Sequence, residues 1–245
     1  MNGPVPVLEM LAESQPDTIA FRLYADMRQR IRDGELDPGM QLRVDWLKST
    51  YRSSTSPCRE ALARLAAEGF VIAEGKKGFR VRGLSRQDFL NINELRNDLE
   101  CKALAKSIAN RSEDLEERLL IALHRLKKAS VVRLSDRESV NQREDRHRMF
   151  HLELLSDCGS SWLLRFYDQL ASHAERYRRI FLKDMVYDEN YSTEIDKEHQ
   201  RLMDLVIAGD GDTATALIRT HRARTLDQVL TGIDAAIRDK KIATG

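Results

Sequence analysis

From Arg86 to about Asp239 the chain contains no proline, and its apolar residues recur in groups at helical spacing. The groups are Leu95, Leu99 and Leu104; Leu115, Leu119, Leu123 and Leu126; Leu152 and Leu155; Leu202, Leu205 and Val206; and Leu217, Leu226 and Leu230. A long run without a helix breaker, striped at that period, folds as amphipathic helices packed on one another. The pattern predicts about six helices in a bundle, with breaks near Ser112, Ser135, Gly159, Asp188 and Gly209-Asp210-Gly211. Only 12 Gly and 5 Pro occur among 245 residues, so the whole chain is expected to be mostly α.

The first third reads differently. Residues 1–16 carry prolines at 4, 6 and 16 and read as a loose arm. Asp17 is placed to cap a helix from Thr18 to about Asp33, with Ile19, Leu23, Met27 and Ile31 on one face. Gly34 ends it, and Asp37-Pro38-Gly39 is a turn. A short helix is expected from Val44 to Thr50. A third follows, with Ser54 or Ser56 as cap, Pro57 in its first turn, and Gly69 as stop. Two β-like runs, Phe70-Val71-Ile72 and Phe79-Arg80-Val81, flank Gly75-Lys76-Lys77-Gly78, a hairpin signal. Three helices and then a hairpin with a basic tip is the order of a winged helix-turn-helix. The expected fold is therefore mostly α: an N-terminal winged helix-turn-helix over residues 1–83, with a small β-hairpin wing, followed by an all-α bundle over 84–245.

Net charge is +1, from 40 Lys+Arg against 39 Asp+Glu, and by itself says nothing of a nucleic-acid partner. Its distribution does. Residues 41–82 hold nine basic and four acidic side chains, while the first forty hold four and seven. Positive charge is gathered on the segment that would neutralise phosphates. In a helix-turn-helix the start of the second helix meets base edges. Ser54, Thr55, Ser56 and Arg59 are the residues at that edge, and Arg59 is suited to a bidentate contact with guanine or phosphate. Lys76 and Lys77 at the wing tip suit a minor groove or a backbone, and Arg43 and Arg64 complete the candidate DNA-binding set.

Three scattered cysteines, Cys58, Cys101 and Cys158, argue against a disulfide framework. No stretch reaches the ~18 apolar residues of a membrane span. The start, MNGPVPVLEMLAESQPD, lacks a basic segment before an apolar run. These features lead to an expectation of a cytoplasmic protein with no membrane partner.

Among six histidines, His147 and His151 stand four apart and share a helix face, as helical metal ligands do. His199 and His221 fall on two consecutive expected helices, and a bundle can aim all four inward. The bland alternative is four ordinary histidines. Arg96 and Glu100 are likewise spaced as a surface i,i+4 ion pair. Arg143, Arg176 and Tyr177 are weaker candidates for a ligand-facing wall.

The runs IRDGELDPGMQLRVDWL, SSTSPCREALARLAAEGFV and KKGFRVRGLS resemble, over residues 18–85, the winged helix of the GntR family of bacterial regulators. The resemblance implies that Ser54, Thr55, Ser56 and Arg59 contact an operator. Thr55 stands where the family often has Arg, which implies a difference in base specificity or in affinity. The runs INELRNDLECKALAKSIA, HRMFHLELLSDCGSSWLL and EHQRLMDLVIAGDGDTATALIRTH resemble the FCD domain of the FadR subgroup over about 86–235. That resemblance implies a divalent metal, with His151, His199 and His221 at the three family histidines. His147 stands where the family has Asp. Four imidazoles suit zinc, nickel or copper, with zinc or nickel favoured here. The resemblance also implies that Arg96 clamps a carboxylate effector, oriented by Glu100.

The expected protein is a homodimeric transcription regulator that binds a two-fold symmetric duplex and is controlled by a small organic acid. Two alternatives stand beside it. One is a regulator for which the metal ion is itself the signal. The other is a small-molecule metalloenzyme, disfavoured because no general base accompanies the histidines and a DNA head would be unexplained.

Overall fold

The computed structural model describes residues 18–130, 137–182 and 189–238. The N-terminal arm, Asp17 and the breaks expected at Ser135 and Asp188 lie outside the described residues.

Helix α1 (Ile19–Arg32) begins one residue later than expected, and Thr18 supplies the capping side-chain oxygen that accepts from Phe21 N at 3.1 Å. Leu23, Met27 and Ile31 face inward as the spacing predicts, but Ile19 is half exposed, and its neighbour Ala20 is the buried residue of the first turn. Strand β1 (Gln41–Leu42) precedes α2 (Val44–Tyr51) and α3 (Thr55–Ala67). Arg52 adopts a left-handed φ of 48° and turns the chain between these two helices. Ser54 is the residue before α3, in extended conformation. Gly69, at φ +83°, lets the chain leave α3 and enter β2 (Val71–Ala73). A single 3₁₀ turn, Gly75–Lys77, leads to β3 (Phe79–Val81). The sheet is antiparallel in the order β1-β3-β2, with Leu42 opposite Phe79 and Val71 opposite Val81. Leu23, Met27, Ile31, Leu47, Leu62, Leu65, Phe70 and Val81 form one core beneath helices and sheet. Burying each such side chain contributes roughly 1.5–3 kcal/mol.

Six helices follow: α4 (Arg86–Ala109), α5 (Leu115–Ser130), α6 (Arg137–Leu154), α7 (Ser161–Leu182), α8 (Glu189–Ala208) and α9 (Gly211–Arg238). Ser85 caps α4 by accepting from Asp88 N. The main core runs through Leu104, Leu119, Leu126, Phe150, Leu155, Tyr167, Leu202 and Val206. Helix α4 packs on both α7 and α9, which explains why it buries Arg96, Glu100 and Ser107 along with apolar residues. The fold is the mostly α architecture expected, a winged helix-turn-helix joined to a helical bundle.

The two parts meet along α7, and the contact is largely ionic. Arg32 bonds Glu175 at 2.6 Å, Arg179 bonds Asp33 at 2.7 Å, and Arg28 bonds Ser172 at 3.0 Å. His173 stacks on Phe70 with centroids 4.2 Å apart and donates through Nε2 to the Glu68 carbonyl at 2.8 Å. Arg176 donates to the carbonyls of Arg82 and Gly83. Tyr177 accepts from Ser85 N and donates to Asp88. Leu84, Phe89, Ala174, Phe181, Val229 and Ile233 form a second apolar cluster within the bundle.

Candidate nucleic-acid interface and histidine centre

The first turn of α3 stands on the surface. Ser54, Thr55, Ser56 and Arg59 are all exposed, while Cys58, Ala61, Leu62 and Leu65 on the opposite face are buried. The division follows helical period: positions one turn apart share a face. Arg43, immediately before α2, is also exposed. Arg64 is partly covered and bonds Glu60 at 3.2 Å, one turn back on the same helix. Lys76 lies in the 3₁₀ turn between β2 and β3, and Lys77 beside it is exposed. The wing base is pinned by Arg80, which bonds Glu74 at 2.8 Å and the Gly39 carbonyl at 2.7 Å. Gln41 donates to the Lys77 carbonyl at 2.7 Å, tying β1 to the wing tip.

The second constellation is buried. His147 and His151 on α6, His199 on α8 and His221 on α9 each offer one nitrogen, and these four atoms lie within 4.8 Å of one another. Every one of the four rings is at most 4% exposed, so the quartet is sealed from bulk water. Burial, joined by neighbouring guanidinium groups and histidines, holds all four well below the usual histidine pKa. They are neutral at physiological pH, so each ring carries one N–H and one lone pair.

The surrounding groups fix several of these rings. His151 Nδ1 lies 3.0 Å from Glu100 Oε1, and His221 Nδ1 lies 2.9 Å from Glu198 Oε2. An ionised carboxylate only accepts, so each Nδ1 donates and each Nε2 keeps a bare lone pair. The Nε2 atoms of His151 and His221 and both nitrogens of His199 are buried without a hydrogen-bond partner in the fold. Unpartnered buried acceptors are costly, and a shared cation is the group that satisfies several at once. The donor set therefore fits a divalent metal, and imidazole nitrogen suits zinc or nickel better than a hard, oxygen-preferring ion.

Around the histidines stand four buried guanidinium groups, Arg96, Arg143, Arg178 and Arg222, against two fully buried carboxylates, Glu100 and Glu144. Arg222 donates through Nε and Nη2 to both Glu100 oxygens, at 2.6 and 2.5 Å. Burial opposes the Glu100 charge, but Arg222 and His151 hold its carboxyl well below the usual range. Arg178 bonds Glu144 at 2.8 Å. The Nε of Arg96 and one terminal nitrogen of Arg222 are buried donors without partners. Buried guanidinium groups with unused donors are an environment for an anion.

Several sequence expectations change here. Arg96 and Glu100 are neither on the surface nor paired: Arg96 lies over the Tyr167 ring and donates weakly to its hydroxyl at 3.4 Å, while Glu100 belongs to Arg222. Arg143 is buried and reaches Glu144 at 3.6 Å. Tyr177 and Arg176 do not reach the histidines but bind the segment joining wing and bundle. One residue on an α-helix turns the side chain by about 100°, so the neighbouring Arg178 is the one that enters the centre. Asp145 points to the junction, where it accepts from Arg179 at 2.6 Å and Arg32 at 3.3 Å. Sequence reasoning missed Arg178, Arg222 and Glu198. Arg222 and Glu198 each stand beside a chosen histidine, which was the available signal.

Comparison with known proteins gives two family matches. The model described as FCD domain matches residues 91–224, and that described as bacterial regulatory proteins, gntR family, matches residues 20–81. The chain is 33% identical over 220 residues to the uncharacterised HTH-type transcriptional regulator BphR of Paraburkholderia xenovorans (strain LB400), covering 89% of this chain and 86% of that one. It is 32% identical over 198 residues to the HTH-type transcriptional repressor GlaR of Escherichia coli (strain K12), covering 81% and 90% respectively. Among solved structures, E. coli McbR/YncC superposes with a TM-score of 0.74 at 20% identity, over 87% of this chain and 98% of that one, a likeness of fold. No helix among the described residues is long and apolar enough to cross a membrane.

Proposed function

We propose a control mechanism from one premise: the chain belongs to the gntR family of bacterial regulatory proteins, with an FCD domain behind its winged helix. It is a DNA-binding transcriptional regulator with an effector-binding domain, and not an enzyme. In our reading residues 1–83 hold the DNA, through Ser54, Thr55, Ser56 and Arg59 in a major groove, with Arg43, Arg64, Lys76 and Lys77 on the backbone or the adjacent minor groove. Residues 84–245 sense a small carboxylate in the cytoplasm, with a divalent metal, zinc or nickel, at the histidine centre. When bound, the ion supplies a Lewis-acid site for a carboxylate oxygen. Arg96, Arg143, Arg178 and Arg222 supply the complementary charge. A homodimer would place two α3 helices on a two-fold symmetric operator. Trp162 and Phe166, stacked on each other and half exposed or more, offer apolar surface for the partner.

One observation carries this reading: buried histidine nitrogens with no partner, set among more buried guanidinium groups than carboxylates. The test is elemental analysis of the purified protein, followed by calorimetric titration of small mono-, di- and tricarboxylates into metal-loaded and chelated protein. The expected result is one metal per chain and carboxylate binding that needs it. Metal-free protein that cannot be loaded overturns the reading. Full control of DNA binding by the metal, with no carboxylate bound, would select the alternative in which the ion itself is the signal.

A further inference from the structure

The four histidines are not equivalent, and the difference lies in what faces each Nδ1. A neutral imidazole has one N–H and one lone pair, and a metal ligand must spend the lone pair on the ion. Carboxylates face Nδ1 of His151 and His221, so those rings turn bare Nε2 atoms to the centre. Arg222 Nη2 also lies 2.9 Å from His151 Nδ1, but that nitrogen donates to Glu100 at 2.5 Å and to Tyr167 at 3.3 Å. His147 is the reverse case. Its Nδ1 lies 3.1 Å from Nη1 of Arg178. A guanidinium only donates and does not lose its proton, so Nδ1 must accept and the ring's hydrogen sits on Nε2. Neither nitrogen of His147 is then free for a cation: one is used by a positive group, the other carries a proton. Arg178 is held there by Glu144, at 2.8 Å, and both are buried, so withdrawing the guanidinium would strand a buried carboxylate.

We propose that His147 is not a fourth metal ligand but an N–H donor, held by Arg178, that positions an oxygen-bearing molecule on a three-histidine ion. This rests on the metal reading above and departs from the four-histidine ligand set expected from the sequence. His151, His199 and His221 hold the ion, leaving open coordination positions, as in metal sites that exchange a ligand. His147 stands beside them, its ring centroid 4.5 Å from that of His151 and 5.0 Å from that of His199. Its N–H selects an acceptor, such as a carboxylate oxygen, at the open side of the ion.

Cobalt(II) binding to the full chain, set beside nitrogen-15 spectra of the histidine rings in zinc-loaded wild type, tests this. His147→Ala should keep one cobalt per chain with a dissociation constant within about threefold of wild type. His151→Ala, His199→Ala and His221→Ala should each weaken binding at least ~100-fold, the upper end of what losing a supporting residue costs. In wild type, which needs no variant to fold, His147 should carry its proton on Nε2, opposite to His151 and His221. A His147→Ala loss as steep as that of His151→Ala, or a His147 ring protonated on Nδ1 with Nε2 on zinc, overturns the inference alone. A wild type that binds neither cobalt nor zinc overturns it together with the metal reading.

Discussion

The winged helix and the bundle place polar side chains in opposite ways. In the head, Arg43, Ser54, Thr55, Ser56, Arg59 and Lys77 stand exposed over a conventional apolar core. In the bundle, Arg96 and Glu100 on α4, His147 and His151 on α6, Tyr167 and Arg178 on α7, His199 on α8, and His221 and Arg222 on α9 converge below the surface. An exposed cation is hydrated already and costs the fold little. A buried one must be matched by partners brought from distant parts of the chain. The exposed residues of the head should therefore tolerate substitution and lose only affinity, while the buried network of the bundle should lose stability along with any binding.

The largest effect separating the two is expected at Arg222. Removing its side chain leaves Glu100 charged and buried, which costs ~3–5 kcal/mol. At about 2–4 °C per kcal/mol for a chain this size, the melting temperature of Arg222→Ala should fall by roughly 10 °C. Calorimetry showing a fall of only a degree or two would mean that the buried network is not stabilised as described.

The junction should come next. Glu175, flanked by Arg32, Arg148 and Arg179, is buried, yet those guanidinium groups push its carboxyl down to about 2, below an unfolded value near 4.5. A depressed carboxylate contributes stability that is complete above about 4.5 and is lost as pH falls toward about 2. Arg32→Ala should cost ~2 kcal/mol at neutral pH and make the acid loss smaller, since it would end at a higher pH, read by denaturant titration across pH 2–7. Identical acid profiles for variant and wild type would show that the ion pair does not couple to folding.

Arg59→Ala should do the reverse. Operator affinity should drop about tenfold at matched salt, with stability within ~0.5 kcal/mol of wild type. Smallest of all, Lys77→Ala should weaken binding to every duplex alike and reduce the salt slope by about one. If Lys77→Ala instead changed sequence preference, the wing would be reading bases rather than holding a backbone.

The same contrast explains how much was legible in the sequence. Helices appear in the sequence as period and punctuation, so α1 to α3 stand within about two residues of their expected bounds. Strand β1 escaped notice because two residues, Gln41 and Leu42, carry no period and pair with β3 only through tertiary contact. The histidines were legible through the i,i+4 spacing of His147 and His151 and through family resemblance. The partners of Glu100 and His147 were not. Glu100 finds Arg222 across 122 positions, and His147 finds Arg178 across 31, pairings set by helix packing rather than by any local pattern. The near miss at Tyr177 has the same origin, since one step along α7 separates the histidine centre from the junction.

Coupling between the regions has a short physical route. Arg178 reaches His147 and Glu144, while the next residue, Arg179, reaches Asp33 at the end of α1. The central claim is that occupancy of the histidine centre sets the affinity of the head for DNA. It is tested most directly by fluorescence anisotropy on a duplex selected by the wild-type protein, measured with the metal-loaded, carboxylate-saturated protein and again after chelation. The account predicts at least a ~fivefold change in dissociation constant for wild type and none for His151→Ala. Equal affinity in both states of the wild type, or the same change in His151→Ala, would contradict it.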